Sequence, residues 1–417
     1  MDRIVIRGEA RLEGEVQVSG SKNSALALMA ASILGQGESR LGNVPRLRDV
    51  EAMLELLRAL GAKADWSGAH QVCIDGSTIS SAEAPYELVR KMRASFMVLG
   101  PLLARFGSAR VSEPGGCAIG VRPIDQHLKG FEALGAKVRL DHGYVEASTT
   151  GLRGGRIVFD VNTVNGTQNV MMAASLADGE TTIENAAQEP EVVELAEFLG
   201  RMGADVSGAG SGRIRILGAD SLRGAAHQVS GDRIEAGTLL AAAAITRGDV
   251  TIRQIDSSTL ESTLDKLREL GAVVEAGPDW ARLKVDGPLR PLQVVTAPFP
   301  GYPTDMQAQI MAVLATVEGS SVVTERVFEN RFMHVSEFQR MGADITLSGR
   351  TAHLRGVDRL MGAPVMATDL RASAGLILAG LAAGGDTIVN RVYHIDRGYE
   401  RLEEKLRSLG AEIRREG

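Results

Sequence analysis

The stretch VEAMLELLRALGAKA, residues 50–64, contains the pattern that decides the fold of this chain. Apolar residues recur at helical spacing with Glu and Arg between them, and Leu60-Gly61 ends the run before a β-prone segment. The same ending occurs six times, as LGAKA, LGAKV, MGADV, LGAVV, MGADI and LGAEI. The glycines of these endings, spaced by 74, 68, 68, 71 and 68 residues, are Gly61, Gly135, Gly203, Gly271, Gly342 and Gly410. A regular period of this size indicates one supersecondary unit copied six times.

Each copy contains a second helix, rich in alanine and followed by Gly and a strand. In the first copy this helix includes ALALMAASIL, residues 25–34, which is apolar on all sides and is therefore predicted to be fully buried. The helices that end in Leu-Gly-Ala or Met-Gly-Ala are predicted to be half-buried outer helices. Each copy then has the order strand, helix, strand, helix, strand, strand.

The chain also divides into two similar halves. VSGSKNSALALMAA begins at Val18 and VSGDRIEAGTLLAA begins at Val229, an offset of 211 residues. Three repeats are therefore expected in each of two domains, with the chain crossing between them at these two segments. We predict one domain over residues 20–229 and a discontinuous second domain from residues 1–19 and 230–417, the latter including the N-terminal strand.

Composition restricts the class of protein. The 417 residues are 44% hydrophobic and 24% charged, as in an ordinary globular protein. The net charge of −6 argues against nonspecific binding to nucleic acid or to a membrane surface. Two cysteines in different repeats form no disulfide framework, and the first residues have no apolar signal segment, which together predict a cytoplasmic protein. The histidines show no metal-binding spacing, and GAGSGR at 208–213 is predicted to be a hairpin.

The loop EPGGCAIGVRPID, residues 113–125, distinguishes one repeat from the others. Its Pro and Gly residues predict an exposed loop. Cys117 in this loop has two interpretations: a small buried apolar residue, or a thiol activated by the nearby cation of Arg122. The glycines around it favour the reactive thiol. Cys73, in the alternating segment HQVCID, is interpreted as structural.

Cations and one carboxylate occur where inner helices begin. Lys22 opens the first buried helix, where free N–H groups attract anions, although a solvated lysine beside a helix cap is the alternative. Asp305, in PGYPTDMQAQ, is interpreted as an N-cap residue that can also serve in catalysis. An arginine at a helix start opposes the helix dipole, so such arginines favour a bound anion, together with Lys22 and Arg122. The arginines in this group are Arg93, Arg331, Arg371 and Arg397.

These segments resemble the UDP-N-acetylglucosamine 1-carboxyvinyltransferases, enolpyruvyl transferases that begin peptidoglycan synthesis. The resemblance covers the chain from end to end, and its most specific motif is GGCAIGVRPID. Other segments that carry it are SGSKNSALALMAASIL, MRASFMVLGPLLARFG, GYPTDMQAQ, ENRFMHV, DLRASAGLILAGLAA and RVYHIDRGYERLEEKLRSLGA. It implies an α/β fold of two inside-out domains, each of three βαβαββ units about a pseudo-threefold axis, with the active site in the cleft between them.

The resemblance also implies a reaction. Phosphoenolpyruvate would donate its enolpyruvyl group to the 3′-hydroxyl of UDP-N-acetylglucosamine, with release of phosphate, by addition and then elimination. The substrates would be the two small molecules, with no metal or cofactor, and the protein would act as a monomer in cell wall synthesis. The family is the target of fosfomycin, an epoxide that alkylates the cysteine matched here by Cys117.

Roles in the family pass to matching positions of this chain. Cys117 matches the proton donor to the methylene carbon, and Asp305 matches the carboxylate that takes the proton of the sugar hydroxyl. Lys22, Arg122 and Arg397 match residues that hold phosphoenolpyruvate, while Asp369 and Arg371 match residues near the intermediate. The remaining substrate contacts implied by the resemblance are Asn23, Arg93, Pro123, Ile124, Asp125, Gln126, Val327 and Arg331.

Two features depart from the family pattern. VNTVNGT, residues 161–167, lacks the lysine that the family often has in the loop touching the diphosphate, which leaves those contacts open. Gln126 stands where leucine is usual. Two alternatives also remain: a 3-phosphoshikimate 1-carboxyvinyltransferase, which lacks such a cysteine loop, and a scaffold of the same fold without activity.

Overall fold

The structure of the chain, a computed structural model, describes residues 2–113 and 124–417. Its strands are β1 (Arg3–Arg7), β2 (Glu13–Gln17), β3 (Gly35–Gln36), β4 (Glu38–Gly42), β5 (Lys63–Gly68), β6 (Gln71–Asp75), β7 (Glu83–Ala84), β8 (Ser108–Ser112), β9 (Lys137–Asp141), β10 (Tyr144–Ser148), β11 (Arg156–Val158), β12 (Glu180–Glu184), β13 (Asp205–Ser207), β14 (Arg213–Leu217), β15 (Leu222–Arg223), β16 (Ala226–Gln228), β17 (Asp249–Arg253), β18 (Val273–Gly277), β19 (Trp280–Lys284), β20 (Gln293–Val295), β21 (Ser320–Thr324), β22 (Asp344–Ser348), β23 (Thr351–Arg355), β24 (Pro364–Met366), β25 (Asp386–Asn390) and β26 (Glu412–Glu416).

The α-helices of the described residues are α1 (Lys22–Ala31), α2 (Arg48–Ala59), α3 (Tyr86–Val89), α4 (Leu99–Phe106), α5 (Asp125–Ala133), α6 (Val164–Ala174), α7 (Pro190–Met202), α8 (Arg233–Ile245), α9 (Glu261–Glu269), α10 (Gln307–Leu314), α11 (Val335–Arg340), α12 (Leu370–Ala382) and α13 (Leu402–Ser408). Short 3₁₀ segments precede α4 and α10, at Arg93–Val98 and Thr304–Met306, and a third spans Val392–Arg397. Within the described ranges, no helix is both long and apolar enough to cross a membrane.

The chain forms two compact units. Unit A contains residues 20–113 and 124–230, and unit B contains residues 2–19 and 231–417. Each unit has its own apolar core, one built around residues such as Leu28 and Phe198 and the other around residues such as Leu240 and Phe338. The chain therefore forms two separate cores, and it passes from one unit to the other after Ser19 and after Ser230.

Unit A contains three similar four-stranded sheets. In each sheet a short strand pairs in parallel with a longer one, and a hairpin continues the sheet in antiparallel fashion. The strand orders are β16-β4-β6-β5, β7-β8-β10-β9 and β11-β12-β14-β13. The third repeat follows the predicted order β11, α6, β12, α7, β13, β14, and the first repeat takes its short strand, β16, from the end of the unit.

Unit B repeats this plan with strands from both ends of the chain. Its sheets have the orders β18-β19-β17-β2, β20-β21-β23-β22 and β24-β25-β1-β26. Strand β2 supplies the parallel edge beside β17, and β1 lies between β25 and β26. The predicted α/β class with three βαβαββ copies in each half is therefore confirmed.

The helices divide into inner and outer sets, as the sequence predicts. Every residue of α1 from Ser24 to Ala31 is buried, whereas α2 buries one face and exposes the other. The turns after the outer helices need a left-handed residue, and the six glycines of the repeated ending all have φ between 87° and 114°. Only glycine takes this conformation at low cost, which explains why each copy ends in Gly-Ala.

Candidate active site

In unit B, a carboxylate and two arginines meet at the starts of two inner helices. Asp305 lies in the 3₁₀ turn before α10, and Arg371 lies in the first turn of α12. Arg371 donates from Nε and Nη2 to Oδ2 of Asp305, at 3.1 and 2.9 Å. Arg331, from the turn before α11, donates from Nη2 to Oδ1 of the same residue at 2.8 Å. The two arginines are almost fully buried, whereas the carboxylate of Asp305 keeps 28% of its side-chain surface exposed, so the cluster presents a partly accessible carboxylate held by two buried cations.

The interpretation of Asp305 as an N-cap residue is wrong. Pro303 occupies the cap position of the 3₁₀ turn, and no side chain caps it. The carboxylate instead turns to the two arginines, because a charged pair of buried donors is a stronger partner than backbone amides alone. Its backbone is held as well, since Gln309 Nε2 donates to the carbonyl of Asp305 at 2.8 Å.

Asp369 takes the capping role at the neighbouring helix. Its Oδ1 accepts from the backbone N–H groups of Arg371 and Ala372, at 2.9 and 3.0 Å. This cap fixes the first turn of α12 and therefore the origin of the Arg371 side chain. The sequence prediction that Asp369 and Arg371 belong to one site agrees with this arrangement, although it assigned no cap.

The electrostatic environment of Arg371 is unusual. Burial alone would lower the pKa of its guanidinium, but the carboxylate of Asp305 raises that pKa above its ordinary value. The ring of Tyr399 lies 5.3 Å from the guanidinium carbon. Tyr399 is buried with its hydroxyl 2.9 Å from Thr238 Oγ1 and 3.1 Å from Gln309 Nε2. The ring of Tyr399 therefore packs on Arg371, and its hydroxyl is held by Thr238 and Gln309. Sequence reasoning did not identify these three residues.

Arg397 and Val327 lie on other segments of unit B. Arg397 ends the 3₁₀ turn Val392–Arg397 and is half-buried. Burial lowers the pKa of the nearby His394, and the charge of Arg397 lowers it further while Asp369 acts in the opposite direction. The segment of Val327 is held by Glu325, whose Oε1 accepts from the N–H of Val327 at 2.7 Å and whose Oε2 accepts from Thr304 Oγ1 at 2.8 Å.

In unit A, Lys22 begins α1, as predicted. Ser21 caps this helix by accepting from the N–H of Ser24 at 3.3 Å. Lys22 Nζ lies 3.4 Å from Oδ2 of Asp49, and both side chains are largely buried. Asn23, the next residue, is half-buried. Asp49, in the first turn of α2, was missed because an acid there is an ordinary feature of helix starts.

Arg93, Asp125 and Gln126 lie around the start of α5. Burial and the charge of Arg93 lower the pKa of His127 to about 4, while Asp125 acts in the opposite direction. Gln126 is buried and donates to Asp125 Oδ2 at 2.7 Å, while its Oε1 accepts from the N–H of Asp160 at 2.9 Å. Ile124 precedes the helix. Gln126 is thus engaged through its side chain with two acidic residues.

The other predicted residues cannot be placed. Cys117, Arg122 and Pro123 lie outside the described residues. Within residues 2–113 and 124–417, no group of three or more His, Cys, Asp and Glu side chains could hold a metal ion. Of residues 161–167, the first three lead into α6 and the last four form its first turn, which Thr163 caps by accepting from the N–H of Gly166 at 3.2 Å.

The chemistry available at these clusters is anion binding combined with proton transfer. Two buried arginines, the N-terminal ends of inner helices and Lys22 supply positive charge suited to phosphate and carboxylate groups. In unit B, the carboxylate of Asp305 forms ion pairs with the two buried arginines, Arg331 and Arg371.

Comparison with known proteins gives a consistent result. The model of the EPSP synthase (3-phosphoshikimate 1-carboxyvinyltransferase) family matches residues 6–406. A UDP-N-acetylglucosamine 1-carboxyvinyltransferase of Trichlorobacter lovleyi is 55% identical over 418 aligned positions, covering 100% of this chain and 99% of the relative. The enolpyruvyl transferase NikO from Streptomyces tendae has 28% identity and a TM-score of 0.90, with 99% of this chain and 98% of NikO covered.

A more distant structure shows the same fold. An EPSP synthase from Acinetobacter baumannii has 18% identity and a TM-score of 0.76 over 100% of both chains. The resemblance predicted from the repeated segments is thereby confirmed. The chain belongs to the EPSP synthase (3-phosphoshikimate 1-carboxyvinyltransferase) family.

Proposed function

We propose that this protein transfers the enolpyruvyl group of phosphoenolpyruvate to the 3′-hydroxyl of UDP-N-acetylglucosamine and releases phosphate, the committing step of peptidoglycan synthesis. The identity of 55% over the whole chain to a curated enzyme with this acceptor is the observation that carries the proposal. The family model itself names another acceptor, shikimate 3-phosphate, so the acceptor is the point that an experiment has to decide.

The reaction proceeds in two balanced steps. In the addition, the sugar oxygen bonds to C2 of phosphoenolpyruvate, its proton passes to a base, and C3 gains a proton from an acid. In the elimination, the C2–O bond to phosphate breaks and C3 loses a proton, which restores the double bond. The net change is one new C–O bond and one free phosphate.

We assign the base to Asp305. Its carboxylate is fixed by Arg331 and Arg371, at 2.8 and 2.9 Å, so it is held in one place. A general base must be held within hydrogen-bond reach of the proton that it takes, and this fixed geometry supports the assignment.

We assign the anion contacts to Lys22, Arg122 and Arg397, and the acid to Cys117. Lys22 lies at the start of α1, where the free N–H groups of the first turn add to its charge. Such fixed cations stabilise charge that moves to the leaving phosphate, and removal of one contact of this type costs about 10²–10³ in rate. The substrate roles of Asn23, Arg93, Pro123, Ile124, Asp125, Gln126 and Val327 stay predictions, as does the position of the site between the two domains.

A phosphate-release assay with phosphoenolpyruvate tests the proposal. We expect release with UDP-N-acetylglucosamine and none with shikimate 3-phosphate. Release only with shikimate 3-phosphate would assign the protein to the other acceptor. A folded protein that releases no phosphate with either acceptor would be a scaffold without this activity.

A further inference from the structure

The buried carboxylate of Glu194, in α7 of unit A, has no role in the reaction described above. Its Oε1 accepts from the N–H of Ser230 at 2.8 Å, and its Oε2 accepts from the Ser230 hydroxyl at 2.5 Å. His227 Nε2 lies 3.0 Å from Oε1, and the His227 side chain is also buried. A carboxylate removed from water is costly unless its oxygens are satisfied, and here Ser230 donates to both oxygens while His227 contacts one of them.

Ser230 connects Glu194 to the start of α1. The carbonyl oxygen of Ser230 accepts from the N–H of Ser21 at 2.7 Å. Ser21 is the N-cap of α1, and Lys22 is the first residue of that helix. A continuous path of hydrogen bonds, entirely within unit A, therefore leads from Glu194 through Ser230 and Ser21 to the backbone that carries Lys22.

Unit B contains the same arrangement with the opposite charge. The offset of 211 residues relates Glu194 to Lys405, Ser230 to Ser19 and the cap Ser21 to the cap Asp232. Lys405 Nζ donates to Ser19 Oγ at 2.7 Å and pairs with Glu235. The carbonyl of Ser19 accepts from the N–H of Asp232 at 2.8 Å, and Asp232 caps α8.

The common element of the two arrangements is positional. In each unit a charged side chain of the third repeat, buried for Glu194 and partly buried for Lys405, is hydrogen-bonded to the serine that precedes the crossing. The carbonyl of that serine accepts from the N–H of the residue that caps the first inner helix. The sign of the charge differs, so the charge itself is not what the two places share. In both places a hydrogen bond fixes the backbone of the residue that caps the first inner helix, α1 or α8. Of these two helices, only α1 begins with a lysine that is predicted to bind substrate.

We propose that Glu194, oriented by His227, is a positioning residue for Lys22, a role that rests on the proposed function of Lys22 in binding phosphoenolpyruvate. Glu194 does not touch substrate. It holds the first turn of α1 so that the Lys22 ammonium and the free N–H groups of that turn keep one geometry.

Hydrogen exchange tests the positional part without any activity. In Glu194→Gln, the amides of Ser21 and Ser24 are expected to exchange about tenfold faster, because the two hydrogen bonds from Ser230 reach different oxygens of Glu194 and glutamine has only one acceptor oxygen. The matched control is Glu403→Gln, a buried carboxylate on outer helix α13 whose Oε1 accepts from Arg415 Nε at 2.7 Å. Unchanged exchange at Ser21 and Ser24 in folded Glu194→Gln would overturn the proposal.

A double-mutant cycle tests the functional part. In the native background, Glu194→Gln is expected to lower kcat/KM for phosphoenolpyruvate about tenfold, while in the Lys22→Met background the further loss is expected to be below about twofold. Equal losses in both backgrounds would show that Glu194 acts on stability or on another group, and would also overturn the proposal. The Glu403→Gln control is expected to change kcat/KM by about twofold or less in either background.

The two possible failures are distinguishable. A native protein that releases no phosphate with either acceptor defeats the proposed function, and the exchange rates of Ser21 and Ser24 then still decide whether Glu194 positions α1. If Glu194→Gln does not fold, Ser230→Ala replaces it, because this variant removes only the hydroxyl that donates to Oε2. The same changes in exchange and in the kinetic cycle, at smaller size, are then expected.

Discussion

Arg371 contacts Asp305 through two of its nitrogens, Nε at 3.1 Å and Nη2 at 2.9 Å, and both donate to the single oxygen Oδ2. The other oxygen, Oδ1, accepts a hydrogen bond from Arg331 Nη2. Each oxygen of the carboxylate thus faces a different arginine, and these arginines come from different repeats of unit B. The geometry of Asp305 therefore depends on the planar shape of the guanidinium group as well as on its charge.

Arg371→Lys is expected to lower kcat of the phosphate-release reaction about 100-fold, because a single ammonium nitrogen cannot replace the two guanidinium nitrogens that donate to Oδ2 of Asp305. The matched control is Arg282→Lys, since Arg282 makes a two-donor pair with Asp249 at 2.8 and 2.7 Å on the sheet of another repeat. Kinetics with saturating substrates checks this. An equal loss in the two variants would mean that a general loss of ion pairs, rather than the position of Asp305, reduces the rate.

Lys22→Met is expected to weaken phosphoenolpyruvate binding and also to destabilise unit A by about 1–2 kcal/mol, because Asp49 loses a buried cationic partner. The double variant Lys22→Met/Asp49→Asn removes both charges. It is expected to regain most of the lost stability but none of the lost affinity. Urea unfolding and calorimetric titration with phosphoenolpyruvate measure the two effects separately, and a recovery of affinity in the double variant would assign Lys22 a purely structural role.

Stability is expected to fall between pH 7 and pH 5 because of His127. Burial lowers its pKa in the folded protein to about 4, and Asn169 Nδ2, 3.1 Å from Nδ1, favours the neutral ring. The unfolded chain takes up a proton near pH 6.5, so it binds more protons than the folded chain in this range, and stability rises with pH there. The contribution of His127 is fully present above about pH 6.5, and about 2 kcal/mol of it is lost by pH 5.

The measurement is urea unfolding of the native protein, of His127→Gln and of His142→Gln at pH 7 and pH 5. His142 is an exposed residue and serves as the control. The loss of unfolding free energy on acidification is expected to be smaller in His127→Gln than in the native protein. Identical losses in all three proteins would assign the pH dependence to other groups.

Cys117 is expected to be the cysteine alkylated by fosfomycin, since Cys73 is a poor nucleophile. Burial, together with the carboxylate of Glu38, raises the pKa of the Cys73 thiol to about 11, so little thiolate forms near neutral pH. Mass spectrometry of intact protein should show one adduct on the native chain and on Cys73→Ser, and none on Cys117→Ser. An adduct that persists in Cys117→Ser would transfer the reactive thiol to Cys73.

Much of the fold was predictable because it repeats. A Gly that must adopt positive φ after each outer helix is a local requirement, so Gly61 and its five counterparts marked the copies without any tertiary information. The hairpin at 208–212 between β13 and β14 was predictable for the same reason. The apolar inner helices followed from composition alone, because an all-apolar helix can only be buried.

The cluster around Asp305 was predictable in its residue types but not in its pairings. The sequence indicated that Asp305, Arg331 and Arg371 carry function, yet the preference of aspartate for helix caps suggested the wrong partner for Asp305. Partners from different repeats depend on tertiary packing, which no spacing in the chain reveals. Glu194 and His227 were missed for this reason, since each is an unremarkable polar residue in its own segment.

The place of β1 between β25 and β26 has a consequence for how the protein is made on the ribosome. Strand β1 leaves the exit tunnel before any residue of unit A, but both of its neighbours are translated only after unit A. Unit A, whose residues lie inside that interval, can complete its sheets while synthesis continues. Strand β1 must wait unpaired until β25 and β26 have been translated, so nascent chains that stall between unit A and these strands should expose it to chaperones while unit A is already folded.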